Sequence, residues 1–226
     1  MRIQCVLILC SSIAACSQHT VVNDEMMRFE GAMPADLSGS WERNYARGDD
    51  INGALRDAYN KLSRTIPDRR GPADPRIAAP SAKDTASLLA LARLTELITR
   101  PDVLTISQDT QEIRIERKDD FAMSCTFYDG VAKGTDNAYG TEICGWNGAQ
   151  LVSNLVLPDG LQVTHRFDIS ADEQHLRVIT TASSGTSRVA LTIRRFYTKF
   201  ERPSSEFNCI ETLSMKRVCS TGEIVP

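Results

Sequence analysis

The stretch "LQVTHRFDIS", residues 161–170, alternates strictly with a period of two. Leu161, Val163, His165, Phe167 and Ile169 fall on one side of an extended chain, and Gln162, Thr164, Arg166 and Asp168 fall on the other. Successive side chains of a strand point to opposite faces. The spacing therefore predicts a strand with one face buried and one face wet, the usual state of an antiparallel sheet. "PDG" at 158–160 and "SADEQ" at 170–174 flank it with turn-forming residues.

The same pattern spreads in both directions. "VLTIS" (103–107), "EIRIER" (112–117), "MSCTFY" (123–128), "QLVSNLVL" (150–157), "HLRVIT" (175–180) and "VALTIRRFYTKF" (189–200) read as further strands, and "LSGSWERNYA" (37–46) as the first. Short strands with turn signals between them predict a mainly β fold, an antiparallel meander closing into a barrel of about eight strands. A helical insert at about 49–100 follows the first strand. Asp49 or Asp50 caps its first helix, whose stripe is Ile51, Leu55, Ala58 and Leu62. Ser81 caps the second, with Asp84 in the capping-box position. Leu88, Leu91, Leu94, Thr95 and Ile98 line one side of it, Leu89 and Leu97 widen that side, and Pro101 ends it. Between the helices, Arg64, Arg69, Arg70 and Arg76 form either a basic patch for anionic head groups or, balanced by the interspersed Asp68 and Asp74, a solvated loop, and the interspersed acids favour the loop.

The chain opens differently. Arg2 precedes a short apolar run, and Ser11, Ser12, Ala14 and Ala15 precede Cys16. A basic start, an apolar core and a small-residue exit are the parts of an export signal. The run is shorter than the ~20 apolar residues of a membrane span. Ile13-Ala14-Ala15-Cys16 resembles the lipobox of bacterial lipoproteins. That resemblance implies a signal peptide at 1–15, a diacylglyceryl group on the Cys16 thiol and a further acyl chain such as palmitate on the new amine. Residues 16–36 then form the lipidated end and its tether. Ser17 after the Cys implies the outer membrane, with the protein facing the periplasm.

The chain has 226 residues, seven cysteines and a formal net charge of −3. A mildly acidic chain excludes the electrostatic footprint of nucleic-acid binding. Cys5 and Cys10 lie in the signal and Cys16 carries lipid, which leaves Cys125, Cys144, Cys209 and Cys219. Four cysteines in an oxidising compartment predict disulfides. Of three connectivities, the pairing of sequence neighbours, 125 with 144 and 209 with 219, closes the shortest loops. The tail at 201–226 is then tied by the second bridge. No C-x-x-C gives zinc spacing, and no metal or cofactor is expected.

Gly39-Ser40-Trp41 near the first strand, the meander, and Arg194-Arg195 on the last strand together resemble the lipocalin pattern. That resemblance covers 37–46 and 103–200 and implies a barrel domain at 37–200. In that superfamily the tryptophan closes one barrel end under an arginine from the last strand. Trp41 and Arg195 are the expected pair, Arg195 sharing parity with Val189, Leu191 and Ile193, and Arg194 is the alternative. The helical insert is a departure from that pattern.

Chemistry is sparse. There are three histidines, His19, His165 and His175, and only His165 lies on an apolar strand face, where a core histidine satisfied by a hydroxyl or backbone partner is the ordinary outcome. No G-x-S-x-G elbow, P-loop or G-x-G-x-x-G occurs, so no catalytic residue is assigned and a hydrolase built around His165 ranks last. The expected function is non-enzymatic: a membrane-anchored periplasmic lipoprotein binding an apolar small molecule or lipid, with Val163, His165 and Phe167 facing the ligand. The alternative is a structural or assembly lipoprotein with a filled core that acts on an envelope partner through protein contacts.

Overall fold

Among the described residues, most strands pair with their neighbour in sequence. A computed structural model describes residues 34–65, 79–118, 122–137, 140–201, 208–211 and 217–220. The elements run β1 (Gly39–Gly48), α1 (Ile51–Thr65), α2 (Ala82–Ile98), β2 (Val103–Gln108), β3 (Glu112–Arg117), β4 (Met123–Tyr128), β5 (Val131–Lys133), β6 (Thr135–Asn137), β7 (Gly140–Asn147), β8 (Gln150–Val156), β9 (Leu161–Ile169), β10 (His175–Ser184), β11 (Leu191–Phe200), β12 (Asn208–Glu211) and β13 (Arg217–Ser220). The lipobox, Cys16, most of the tether and most of the arginine-containing loop lie outside the described residues.

One antiparallel sheet of eleven strands has the order β5-β4-β3-β2-β1-β11-β10-β9-β8-β7-β6. The fold is mainly antiparallel β, a nearly closed barrel with two helices, and the expected count of about eight is corrected to eleven. The additional strands, β5, β6 and β7, lie together. The first two have three residues each, and β7 carries Gly140 and Gly145, so none shows a sustained alternation. The first and last strands of the meander pair with each other, Trp41 opposite Lys199. The free ends of the sheet are instead β5 and β6, which adjoin in sequence through Gly134. A Cβ at Gly134 would stand 3.2 Å from Ile143 Cγ1 and 3.4 Å from the Glu142 carbonyl oxygen, so a bare backbone suits this crossing point.

The two ends of the sheet are joined covalently. Cys125 of β4 and Cys144 of β7 form a disulfide with Cα atoms 5.8 Å apart, about the spacing of neighbouring strands. Both cysteines are buried and belong to the main core with Leu104, Ile106, Ile113 and Phe127. Cys209 and Cys219 stand directly opposite each other in the separate β12–β13 pair.

Helix formation follows the local signals. Asp50 Oδ2 accepts from the Gly53 amide at 3.1 Å, capping α1. Ser81 Oγ accepts from the Asp84 amide at 3.1 Å, and the bonds from Ser81 hold the Asp84 carboxyl below its ordinary pKa. Ala58 and Leu62 of α1 pack with Leu88 and Ala92 of α2 over Leu191 of β11. The helices therefore cover the barrel end nearest Leu191. Leu89 and Leu97 do not widen the buried side of α2: they are 44% and 60% exposed. Ala92, on the face toward α1, takes the place assigned to them.

Candidate functional site

Two places gather polar side chains. The first is inside the barrel and follows from strand register. Thr180 of β10 stands opposite His165 of β9, and His165 stands opposite Ser153 of β8. Arg195 of β11 pairs with Val178 and so lies diagonal to Thr180. Arg195, Thr180, His165 and Ser153 are all buried, forming a polar row across four interior strands. His165 Nδ1 is 2.9 Å from Thr180 Oγ1, a hydroxyl partner that suits a core histidine. The His165 and Phe167 rings lie 6.2 Å apart.

A cavity of about 20 Å³ adjoins this row, lined by Arg117, His165, Thr180, Arg195, Thr99 and Tyr197 together with apolar neighbours. Val163 is buried but is not among the lining residues. Burial pushes the Tyr197 hydroxyl up to about 12, with Arg43 and Arg195 opposing, and Tyr197 donates to the Pro101 carbonyl at 3.0 Å.

Trp41 stands opposite Leu104 of β2, a residue that lines this cavity. It is fully buried, and its Nε1–H donates to the Leu37 carbonyl at 3.0 Å. The expected Trp41–Arg195 pair is corrected. The cation over the Trp41 ring is Lys199, 5.3 Å from the centroid. Arg195 is four residues away on β11, about 13 Å along a strand, and reaches toward the helices instead. Gly39 explains the glycine of Gly39-Ser40-Trp41. Its φ is +136°, and a Cβ there would meet Lys199 Cε at 2.9 Å.

Asp49 links Arg195 to the exterior. Five steps along β1, from Arg43 to Gly48, face two along β11, from Tyr197 to Arg195. This bulge carries the chain over the barrel rim, so Asp49 meets both arginines. Its carboxylate accepts from Arg194 Nε at 3.0 Å and from the Arg194 amide at 2.9 Å. Its backbone carbonyl accepts from Arg195 Nη1 at 2.5 Å.

The second place is an open notch of about 640 Å³ outside the barrel, between α1 and the outer face of β10 and β11. Gly53, Ala54 and Ala58 on the helix and Ala190 and Thr192 on the sheet side leave the space, and Asp57 and Lys61 lie on its helix side. Asp49 and Asp50 read locally as a helix cap, and the notch is not legible in the sequence, because no local pattern reports which sheet face a helix stands against. Parity showed that Arg195 faces inward, while its partners depend on the bulge and on α2.

Among the described residues no group of His, Cys, Asp and Glu is arranged to hold a metal ion, and no helix is long and apolar enough to cross a membrane. No protein-family model and no curated protein matches this chain.

Proposed function

We propose that the protein is a lipid-anchored envelope lipoprotein whose barrel is a filled scaffold and which acts through protein contacts rather than by carrying a guest. The observation that supports this reading is the occupied interior. A continuous core with Trp41, Phe127, Trp146, Phe167 and Tyr197 packs the barrel, and the cavity beside His165 is about 20 Å³. Ligand pockets are usually some 300–1,000 Å³, whereas ~10–15 Å³ suffices for one water. Among the described residues, the notch beside α1 offers a concave surface to a partner. Attachment is through acyl chains on Cys16, at the outer membrane and facing the periplasm. Two chains give stable anchoring where one does not.

Native mass spectrometry of the mature protein, released from detergent, tests the filled scaffold. The expected spectrum is the lipidated chain without a noncovalent guest, and a lipid-sized noncovalent adduct would overturn the reading in favour of a carrier. A photocrosslinker at Thr192 is expected to trap an envelope protein in cells, and one at the exposed Tyr128 is not. Radiolabelled palmitate is expected in the wild type and absent from Cys16→Ser.

A further inference from the structure

Arg195 is a buried cation whose hydrogen bonds go to neutral oxygens. It is 8% exposed. Nη1 donates to the Asp49 backbone carbonyl at 2.5 Å, and Nη2 to Thr99 Oγ1 at 3.4 Å. The nearby Asp49 carboxylate is committed to Arg194 on the outside of the wall. Arg195 Nε is buried with no hydrogen-bond partner among the described residues. A buried charge is costly unless it is paired and hydrogen-bonded. Desolvation is the main influence lowering the Arg195 pKa, followed by the Arg43 charge, against smaller contributions from Tyr197, Asp49 and Glu96.

The space that Arg195 lines has a matching composition. Its wall carries a second guanidinium, Arg117, with the His165 imidazole and the hydroxyls of Thr99, Thr180 and Tyr197, and no carboxylate is among the lining residues. The volume of about 20 Å³ is on the scale of a single water. Phosphate, sulfate and carboxylate ligands are too large. A water would supply a hydrogen bond without balancing the charge, whereas a monatomic anion does both. We infer that this chamber binds one halide of the chloride class as the counter-ion of Arg195. Ile98, Thr99 and Pro101 line it from the α2 side, and the bound ion stabilises the folded state by mass action.

The test uses the mature lipidated protein in detergent, titrated with sodium chloride at ionic strength held constant with sodium gluconate, whose anion is too large to enter. The Arg195 Nε–H resonance, assigned in the wild type by through-bond correlation to its own side chain, is expected to shift saturably with chloride and with bromide. The melting midpoint is expected to rise by a few degrees over the same range, the scale of a modest stabilisation for a domain of this size. In Arg195→Met the rise is expected to vanish. An Nε–H resonance insensitive to chloride in the wild type would mean a buried water and would overturn the inference, whether or not the variants fold. A chloride-dependent midpoint without that shift would mean an adventitious surface ion only, and would overturn it equally.

Discussion

Cys125 and Cys144 join two strands that are not neighbours in the hydrogen-bonded order of the sheet. Every other step round the barrel is a ladder of backbone bonds, and the clasp stands where β5 and β6 leave the ladder incomplete. The double variant Cys125→Ser/Cys144→Ser is expected to lose about 3 kcal/mol, the scale for a cross-link closing a loop of this order. Urea denaturation gives the loss. Amide exchange is expected to accelerate first in β5 and β6, and uniform acceleration across all strands would contradict the role of a seam clasp.

Tyr197 predicts an alkaline limit. Its folded pKa, about 12, lies above the ordinary tyrosine value of 10.0. The stability linked to the neutral hydroxyl is therefore fully present below pH 10 and is lost as pH rises from there through about 12. Phenolate absorbance is expected to show a late-ionising component near pH 12 that Tyr197→Phe removes. That variant also loses the bond to Pro101 and is expected to cost about 1 kcal/mol at neutral pH.

The α2 cap predicts the opposite sign at low pH. Asp84 has a lowered pKa from its bonds to Ser81, so its contribution is present above the ordinary aspartate value of 3.8 and is lost as pH falls through the lower folded value. Ser81→Ala is expected to cost about 1 kcal/mol at pH 7, the usual effect of losing an N-cap hydroxyl. Its deficit relative to wild type is expected to shrink in acid. A deficit independent of pH would mean that Asp84 takes no part in the cap.

Cys209 and Cys219 are paired by backbone register in a sheet of their own. Non-reducing peptide mapping is expected to recover a 209–219 cross-link. Because β12 and β13 are not part of the barrel sheet, Cys209→Ser/Cys219→Ser is expected to change barrel stability far less than loss of the 125–144 bond.

The parts of this fold legible in the sequence are those where local chemistry and tertiary environment agree. β9 alternates because one face is interior, so Val163, His165 and Phe167 are buried, and His165 has the hydroxyl partner its position predicts. The caps at Asp50 and Ser81 are decided within one turn of helix. Leu89 and Leu97 misled because hydrophobicity alone does not say how wide a helix face is covered. Lys199 was missed over Trp41 because the cross-strand partner depends on β1–β11 register, a relation between residues 158 positions apart. β5 to β7 were missed because they are short or contain glycine, and they are held by neighbours rather than by their own pattern.

Pairing of β1 with β11 also orders events in time. The first strand finds its second neighbour only when residue 200 is free to join, so a chain emerging from its N-terminus holds an open, growing meander until the last hairpin arrives. Contacts so distant in sequence slow folding, and unpaired strand edges expose the waiting intermediate to aggregation. A chain stopped before β11 would leave Trp41 without Lys199 and Asp49 without either arginine. Closure of the barrel thus waits for β11 to arrive.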